Sequence, residues 1–400
     1  MRWTGSTGSY MIFRASPRPR SSGNDLHGSA DAFRPSRRTT MTMTRAPRNR
    51  FWEVAVAVAI VAAIVAAAVW ERIDDTGSHY NRGHANFEGG RYLEAIAAYD
   101  QALQLEPDNA GIYVNRGVAK LFLGRYREAI ADYDQALRLE PDDAHTYVNR
   151  AGAKSLQGQY REAIADYDQA LRLEPDTAYI YVNRGQTKSN LGQHREALAD
   201  YDRALRLEPD NVNAYVARGR AKSELGEHEE AFADYDQALQ LEPGNANIYT
   251  SRGNVKFDLG QIEEALADYD QAVRLEPDDG YVYFARAYAR AELGQHKEAI
   301  FDYDQTLRLR PYFVGAYINR AQAWSALGQF QKAIADYDQA VRLQPESTYV
   351  YFNRGLARAE IGLPREALAD LKTALELAQE AGDSDLITSI EEKIQEFEQE

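Results

Sequence analysis

The chain has 400 residues, a formal net charge of -15 and no cysteine, which excludes disulfides, thiolate catalysis and Cys-ligated zinc. Residues 1–50 carry ten Arg against two Asp, and Glu53 is the one charge in 51–70, so residues 71–400 hold an excess of 22 negative charges. That balance argues against a nucleic-acid partner, because phosphate binding needs a basic stripe.

Residues 1–50, rich in Arg, Ser, Thr, Gly and Pro, read as a disordered basic segment. An unbroken apolar run from Val54 to Val69 follows, closed by Trp70. As a helix, Phe51 to Trp70 would extend about 30 Å, the thickness of the hydrocarbon layer. Trp52 and Trp70 fall where aromatic belts form. Arg34, Arg37, Arg38, Arg45, Arg48 and Arg50 precede the run, while Glu71, Arg72, Asp74 and Asp75 follow it. The positive-inside rule therefore predicts a single-pass transmembrane signal anchor over 51–70, with a cytoplasmic N-terminus and extracytoplasmic repeats. Three alternatives stay open: a cleaved signal sequence ending near Ala66 to Ala68, giving a secreted or periplasmic protein; an organelle transit peptide; and a buried soluble helix. A start at Met41 or Met43 would leave a short n-region of typical length before an export segment.

Eight prolines then stand 34 residues apart, from Pro107 to Pro345. A fixed period of that length marks a solenoid of units that cannot bury their own apolar faces. Counting back from each proline gives nine repeats over 76–381, the last with Gln379 in place of proline. In the second repeat, Tyr113 to Gly124 reads as a short helix and Tyr126 to Glu140 as a second one, stopped by Pro141. Ala129, Ile130, Tyr133, Ala136 and Leu137 form the apolar stripe of that second helix. A glycine suited to a left-handed C-cap closes every first helix, from Gly90 to Gly362. After the ninth repeat, residues 382–400 read as a capping helix with Asp383 and Ser384 at its start. Its stripe is Leu386, Ile387, Ile390, Ile394 and Phe397, and its other face is Glu-rich.

The order aromatic, small, Ala, aromatic, Ala, Pro falls on Tyr113, Gly117, Ala129, Tyr133, Ala136 and Pro141. This pattern resembles the tetratricopeptide repeat family over 76–381. The resemblance implies an all-α fold, a right-handed superhelical solenoid of nine 34-residue helix-turn-helix repeats, here preceded by one transmembrane helix. The first alanine recurs nine times and the second eight, with Thr306 the exception. A larger side chain at those sites would overpack two helices at a cost of about 1–3 kcal/mol. One departure from the family pattern is Arg where it has Leu, in all nine repeats from Arg82 to Arg354. Lys or Arg stands four residues later in seven of them, and most second helices carry Asp on both sides of the tyrosine, as in Asp132 and Asp134. An intramolecular Arg–Asp ladder is expected, each exposed pair adding about 0–1 kcal/mol. The alternative is a basic surface for an anionic ligand.

No motif for catalysis, metal or cofactor stands out. His194, His228 and His296 share one repeat position, which points to a structural role, and neither HExxH, GxxxxGK[ST] nor GxSxG occurs. The resemblance places the second, fifth, sixth, ninth and twelfth repeat positions on a concave ligand groove. It implies that the sixth-position asparagines Asn81, Asn115, Asn149, Asn183, Asn319 and Asn353 bond a peptide backbone; the central repeats hold Ala217, Ser251 and Ala285 instead. The fifth positions are mostly apolar (Val114, Val148, Val182, Val216), unlike the cationic clamp of the family's chaperone-tail binders. Toward the C-terminus, Tyr281, Phe284, Tyr288, Ile318, Tyr349 and Phe352 fall at groove positions. They suit contacts with a peptide or helix; packing between repeats is the alternative. The expected function is a non-enzymatic, membrane-anchored scaffold whose groove binds a neutral or basic protein or peptide. The alternative is a non-catalytic accessory subunit of an envelope-polymer enzyme or of an export or assembly complex.

Overall fold

The computed structural model describes residues 75–399. The basic segment 1–50 and the membrane anchor expected over 51–70 lie outside the described residues. Among the described residues every regular element is helical, and no helix is long and apolar enough to cross a membrane.

Two compact units divide between Leu173 and Glu174. The first holds α1 over residues 75–88, α2 (Tyr92–Leu105), α3 (Ala110–Phe122), α4 (Tyr126–Leu139), α5 (Ala144–Leu156) and α6 (Tyr160–Leu173). The second holds α7 (Ala178–Asn190), α8 (His194–Leu207), α9 (Val212–Glu224), α10 (His228–Leu241), α11 (Ala246–Asp258) and α12 (Ile262–Leu275). It continues through α13 (Gly280–Glu292), α14 (His296–Leu309), α15 (Val314–Ala326), α16 (Phe330–Leu343), α17 (Thr348–Glu360), α18 (Pro364–Ala381) and α19 (Ser384–Gln399). Odd and even helices from α1 to α18 thus form nine hairpins of the expected period, and α19 packs on α18 through Ile390 and Ile394.

The tight turn inside each hairpin needs a left-handed residue. Gly192 sits at φ +83°, and its successor Gln193 donates its backbone N–H to the Lys188 carbonyl at 2.9 Å, closing α7. Inside the hairpin, alanines let a tyrosine ring lie flat between helices. Ala129, Tyr133 and Ala136 are all buried, and a Cβ on Gly117 would come within 2.7 Å of the Tyr133 ring. Thr306 fits where the other repeats have alanine because its hydroxyl donates back to the Asp302 carbonyl at 3.0 Å.

Burial pushes the Tyr235 hydroxyl up to about 12, and the hydroxyls of Tyr133, Tyr201, Tyr269, Tyr303 and Tyr337 shift upward for the same first reason. From about pH 10 upward the unfolded chain releases tyrosine protons that the folded chain retains. Stability is therefore expected to fall steeply above pH 10, with phenolate absorbance rising together with loss of helical circular dichroism. Full tyrosine ionisation at pH 11 with the helix signal intact would contradict this.

The Arg–Asp ladder is present, and its geometry is tighter than exposed pairs. In the first unit, Arg116 donates Nε to Asp132 Oδ2 at 2.9 Å and Nη2 to Oδ1 at 2.6 Å. Its Nη1 reaches Asp100 of the preceding hairpin at 2.5 Å, and Lys120 Nζ lies 2.7 Å from Asp132. The guanidinium also lies over the Tyr113 ring. In the second unit the same arrangement joins Arg218 to Asp234 and Asp202, Arg252 to Asp268 and Asp236, and Arg286 to Asp302 and Asp270. Burial works against the Arg218 charge, but hydrogen bonds to Asp234 and Asp202 outweigh it and hold its pKa above the ordinary arginine value. The inner aspartates are buried, so these are not the weak surface pairs that the sequence suggests. The first rung also differs: Ala98 replaces the inner aspartate, and Arg82 bonds His79 and Gln101 instead.

Candidate partner-binding face

The first helices of the hairpins carry every residue expected to meet a ligand, but the structure separates them. At the fifth positions Val114, Val148, Val182 and Phe284 are buried, while Val216 is half-buried. Phe284 lies 4.7 Å from the Phe313 ring and 5.8 Å from Tyr303, centroid to centroid. In the structure it packs against these rings, and Phe313, which follows Pro311 and Tyr312 in the turn before α15, lies in the same core cluster. Tyr281 is likewise engaged, edge-on to Phe313 and beneath the Arg310 guanidinium at 3.6 Å. Ile318 and Phe352 are half-buried beside separate core clusters.

The asparagines divide too. Asn115 donates to the Tyr80 hydroxyl at 2.9 Å, and Asn353 donates to the carbonyl of Tyr349 on its own helix at 2.8 Å. Asn319 lies beside the Tyr303 hydroxyl, and Asn149 and Asn183 are half-buried. Asn115 and Asn353 thus already have internal partners.

What remains accessible is a polar aromatic cluster drawn from three successive first helices. Tyr288 of α13 and Tyr349 of α17 are 42 % and 40 % exposed. Gln322 of α15 donates its Nε2 to the Tyr349 hydroxyl, which also feels the Tyr288 hydroxyl. Phe257 of α11 supports Tyr288 at 5.4 Å between ring centroids. Burial first, and then the Glu292 carboxylate, push the Tyr288 hydroxyl above its ordinary range. Glu292 belongs to an acidic column with Glu224 and Asp258, one residue per repeat at 34-residue spacing. Burial and then Glu224 raise the Asp258 carboxyl, while His228 opposes them. Gln322 stands at the ninth repeat position, as Tyr288 does, and is the amide member of the cluster.

Family models described as tetratricopeptide repeat or TPR repeat match residues 83–121, 110–143, 155–192, 178–211, 200–233, 219–260, 253–294, 281–313 and 323–390. Together these spans cover most of the chain. The chain is a tetratricopeptide repeat protein. Its array is similar to that in the crystal structure of the APC/C hetero-tetramer Cut9–Hcn1, at 14 % identity and TM-score 0.50, over 80 % of this chain and 76 % of that one. The yeast Tom70 structure matches at 15 % identity and TM-score 0.42, over 80 % and 96 %. The structure of MamA matches at 24 % identity and TM-score 0.40, over 41 % and 96 %. The first of these likenesses shows the shared fold alone. The search of curated proteins found no match. Tetratricopeptide scaffolds bind proteins and peptides and are generally non-catalytic.

Proposed function

We propose that this tetratricopeptide scaffold is held at a membrane by residues 51–70 and takes its partner on the first-helix face around Tyr288, Gln322 and Tyr349. The observation that carries the binding site is the exposure of two tyrosines at groove positions whose neighbours, Phe284 and Tyr281, are committed to packing. Large aromatics with one polar end are the residues most often responsible for interface energy. The acidic column of Glu224, Asp258 and Glu292 favours a basic or neutral segment, with association that weakens as salt rises. The apolar run with its arginine-rich flank supports the membrane part of the reading. Recovery of the full chain in the soluble fraction after detergent-free lysis would remove that part.

The direct test is the double variant Tyr288→Ala with Tyr349→Ala. Loss of two hot spots of about 2 kcal/mol each predicts a reduction in affinity of well over tenfold. Because both rings are partly exposed, the melting temperature should barely move. Partners first identified by in-cell crosslinking to the native chain provide the readout. Undiminished crosslinking at unchanged stability would reject the face.

A further inference from the structure

The seventh hairpin breaks the period on its solvent side, away from the first-helix face. The twenty-second repeat position is exposed in all nine hairpins; it is alanine in eight, from Ala97 to Ala369, and Phe301 in the seventh, 58 % exposed. The thirty-third position is Asp, Glu or Gly elsewhere and Tyr312 here, 81 % exposed. Lys297, Phe301, Asp304 and Arg308 follow i, i+4, i+7, i+11 spacing along one stripe of α14, and Tyr312 continues it into the turn. Phe301 adds nothing to the core, since alanine serves that position in every other repeat. A large apolar side chain left in water at such a site marks an interaction surface.

The charges around it identify what the surface fits. Asp304 is neutralised by Arg320, 2.5 Å away. Arg310 replaces the Glu or Gln of the other inter-repeat turns and stacks on Tyr281. Among the described residues, Lys297, Arg308 and Arg310 form no ion pair with a carboxylate. Glu298 remains on the adjacent face. On a chain with an acidic excess of 22 charges after residue 70, this stripe presents cations beside two exposed aromatics.

We propose that the solvent face of α14 and the turn at Tyr312 form a second docking surface, for an acidic protein segment with apolar anchors. Phe301 and Tyr312 would cover the apolar side chains, while Lys297 and Arg308 meet flanking carboxylates. The 14 residues of α14 extend about 21 Å, enough to lie along four turns of a partner helix. The proposal does not depend on the Tyr288 face, so one array would hold two partners of opposite charge.

The test uses the full chain and two labelled synthetic peptides of helical pattern, one of Glu and Leu and one with Lys in place of Glu, read by fluorescence anisotropy. Phe301→Ala and Tyr312→Asp restore residues that other repeats already carry, so both variants are expected to fold. The Glu–Leu peptide should bind, the double reversion should weaken it at least tenfold, and Lys297→Glu with Arg308→Glu should do the same. Tyr288→Ala should leave it unchanged. Absence of binding, equal binding of the Lys–Leu peptide, or affinity untouched by the reversions would overturn the proposal. So would Phe301-dependent binding to anionic lipid vesicles without peptide binding, which assigns the face to a membrane. A Phe301-dependent shift in oligomeric state by ultracentrifugation would overturn it in favour of a second copy.

Discussion

Asp302→Ala is expected to destabilise the second unit by about 3–5 kcal/mol, the range for breaking a buried ion cluster from one side. The Asp302 side chain is fully buried and is held by Arg286 through two bonds of 2.8 and 2.7 Å and by Arg290 at 2.8 Å. Its removal takes the buried partner from two partly buried guanidiniums, leaving them the half-exposed Asp270, 2.7 Å from Arg286 and 3.7 Å from Arg290. In a solenoid each repeat contacts only its neighbours, so the loss should appear as early local opening around α13 and α14. Hydrogen exchange at those helices and a lower urea midpoint are the measurements. Asp304→Ala supplies the control: its side chain is about half exposed and reaches only Arg320, so its cost should stay within about 1 kcal/mol. Equal costs for Asp302 and Asp304 would refute the distinction between buried and exposed rungs. Replacing Asp302, Arg286 and Arg290 together by apolar residues should recover much of the loss, because no buried charge is then left unpaired and Asp270, 41 % exposed, is solvated by water.

The array was legible in the sequence because its signals are local. Proline, the hairpin glycine and the two alanines each mark one backbone or packing requirement within 34 residues; the helices end where proline and glycine direct, whereas the first helix of the second repeat starts at Ala110 rather than at Tyr113. The ladder was legible as a repeating charge pattern, but its energetic weight was not. Asp132 and Asp134 look alike beside Tyr133, yet only Asp132 is enclosed, by an arginine sixteen residues earlier and a lysine twelve residues earlier. Burial of a charge depends on such non-adjacent partners. The candidate face shows the same limit. Phe284 and Tyr288 share one face of α13 by spacing, and it is Phe313, from the following turn, that buries one and leaves the other exposed. Phe301 escaped notice because the alanines in its column give no hint of whether they face solvent or core.

The buried tyrosines allow a prediction whose sign depends on a single oxygen. Tyr133→Ala should cost about 3–5 kcal/mol, as large-to-small aromatic substitutions in a core do, because Ala129, Ala136 and Gly117 are too small to fill the space. Tyr133→Phe should instead be neutral or stabilising by up to about 1 kcal/mol. Among the described residues no protein group bonds the buried Tyr133 hydroxyl, so its removal takes away a desolvation cost and breaks no bond to the protein. Tyr269 offers the opposite case, since its hydroxyl donates to Asn254 Oδ1 at 2.8 Å. Tyr269→Phe should therefore cost about 1 kcal/mol. Urea denaturation of the two phenylalanine variants side by side decides the matter, because ring packing is preserved in both. If Tyr133→Phe proved as costly as Tyr269→Phe, an unseen partner such as an ordered water would have to satisfy the Tyr133 hydroxyl, and the same would then be expected at Tyr235, whose hydroxyl is equally enclosed.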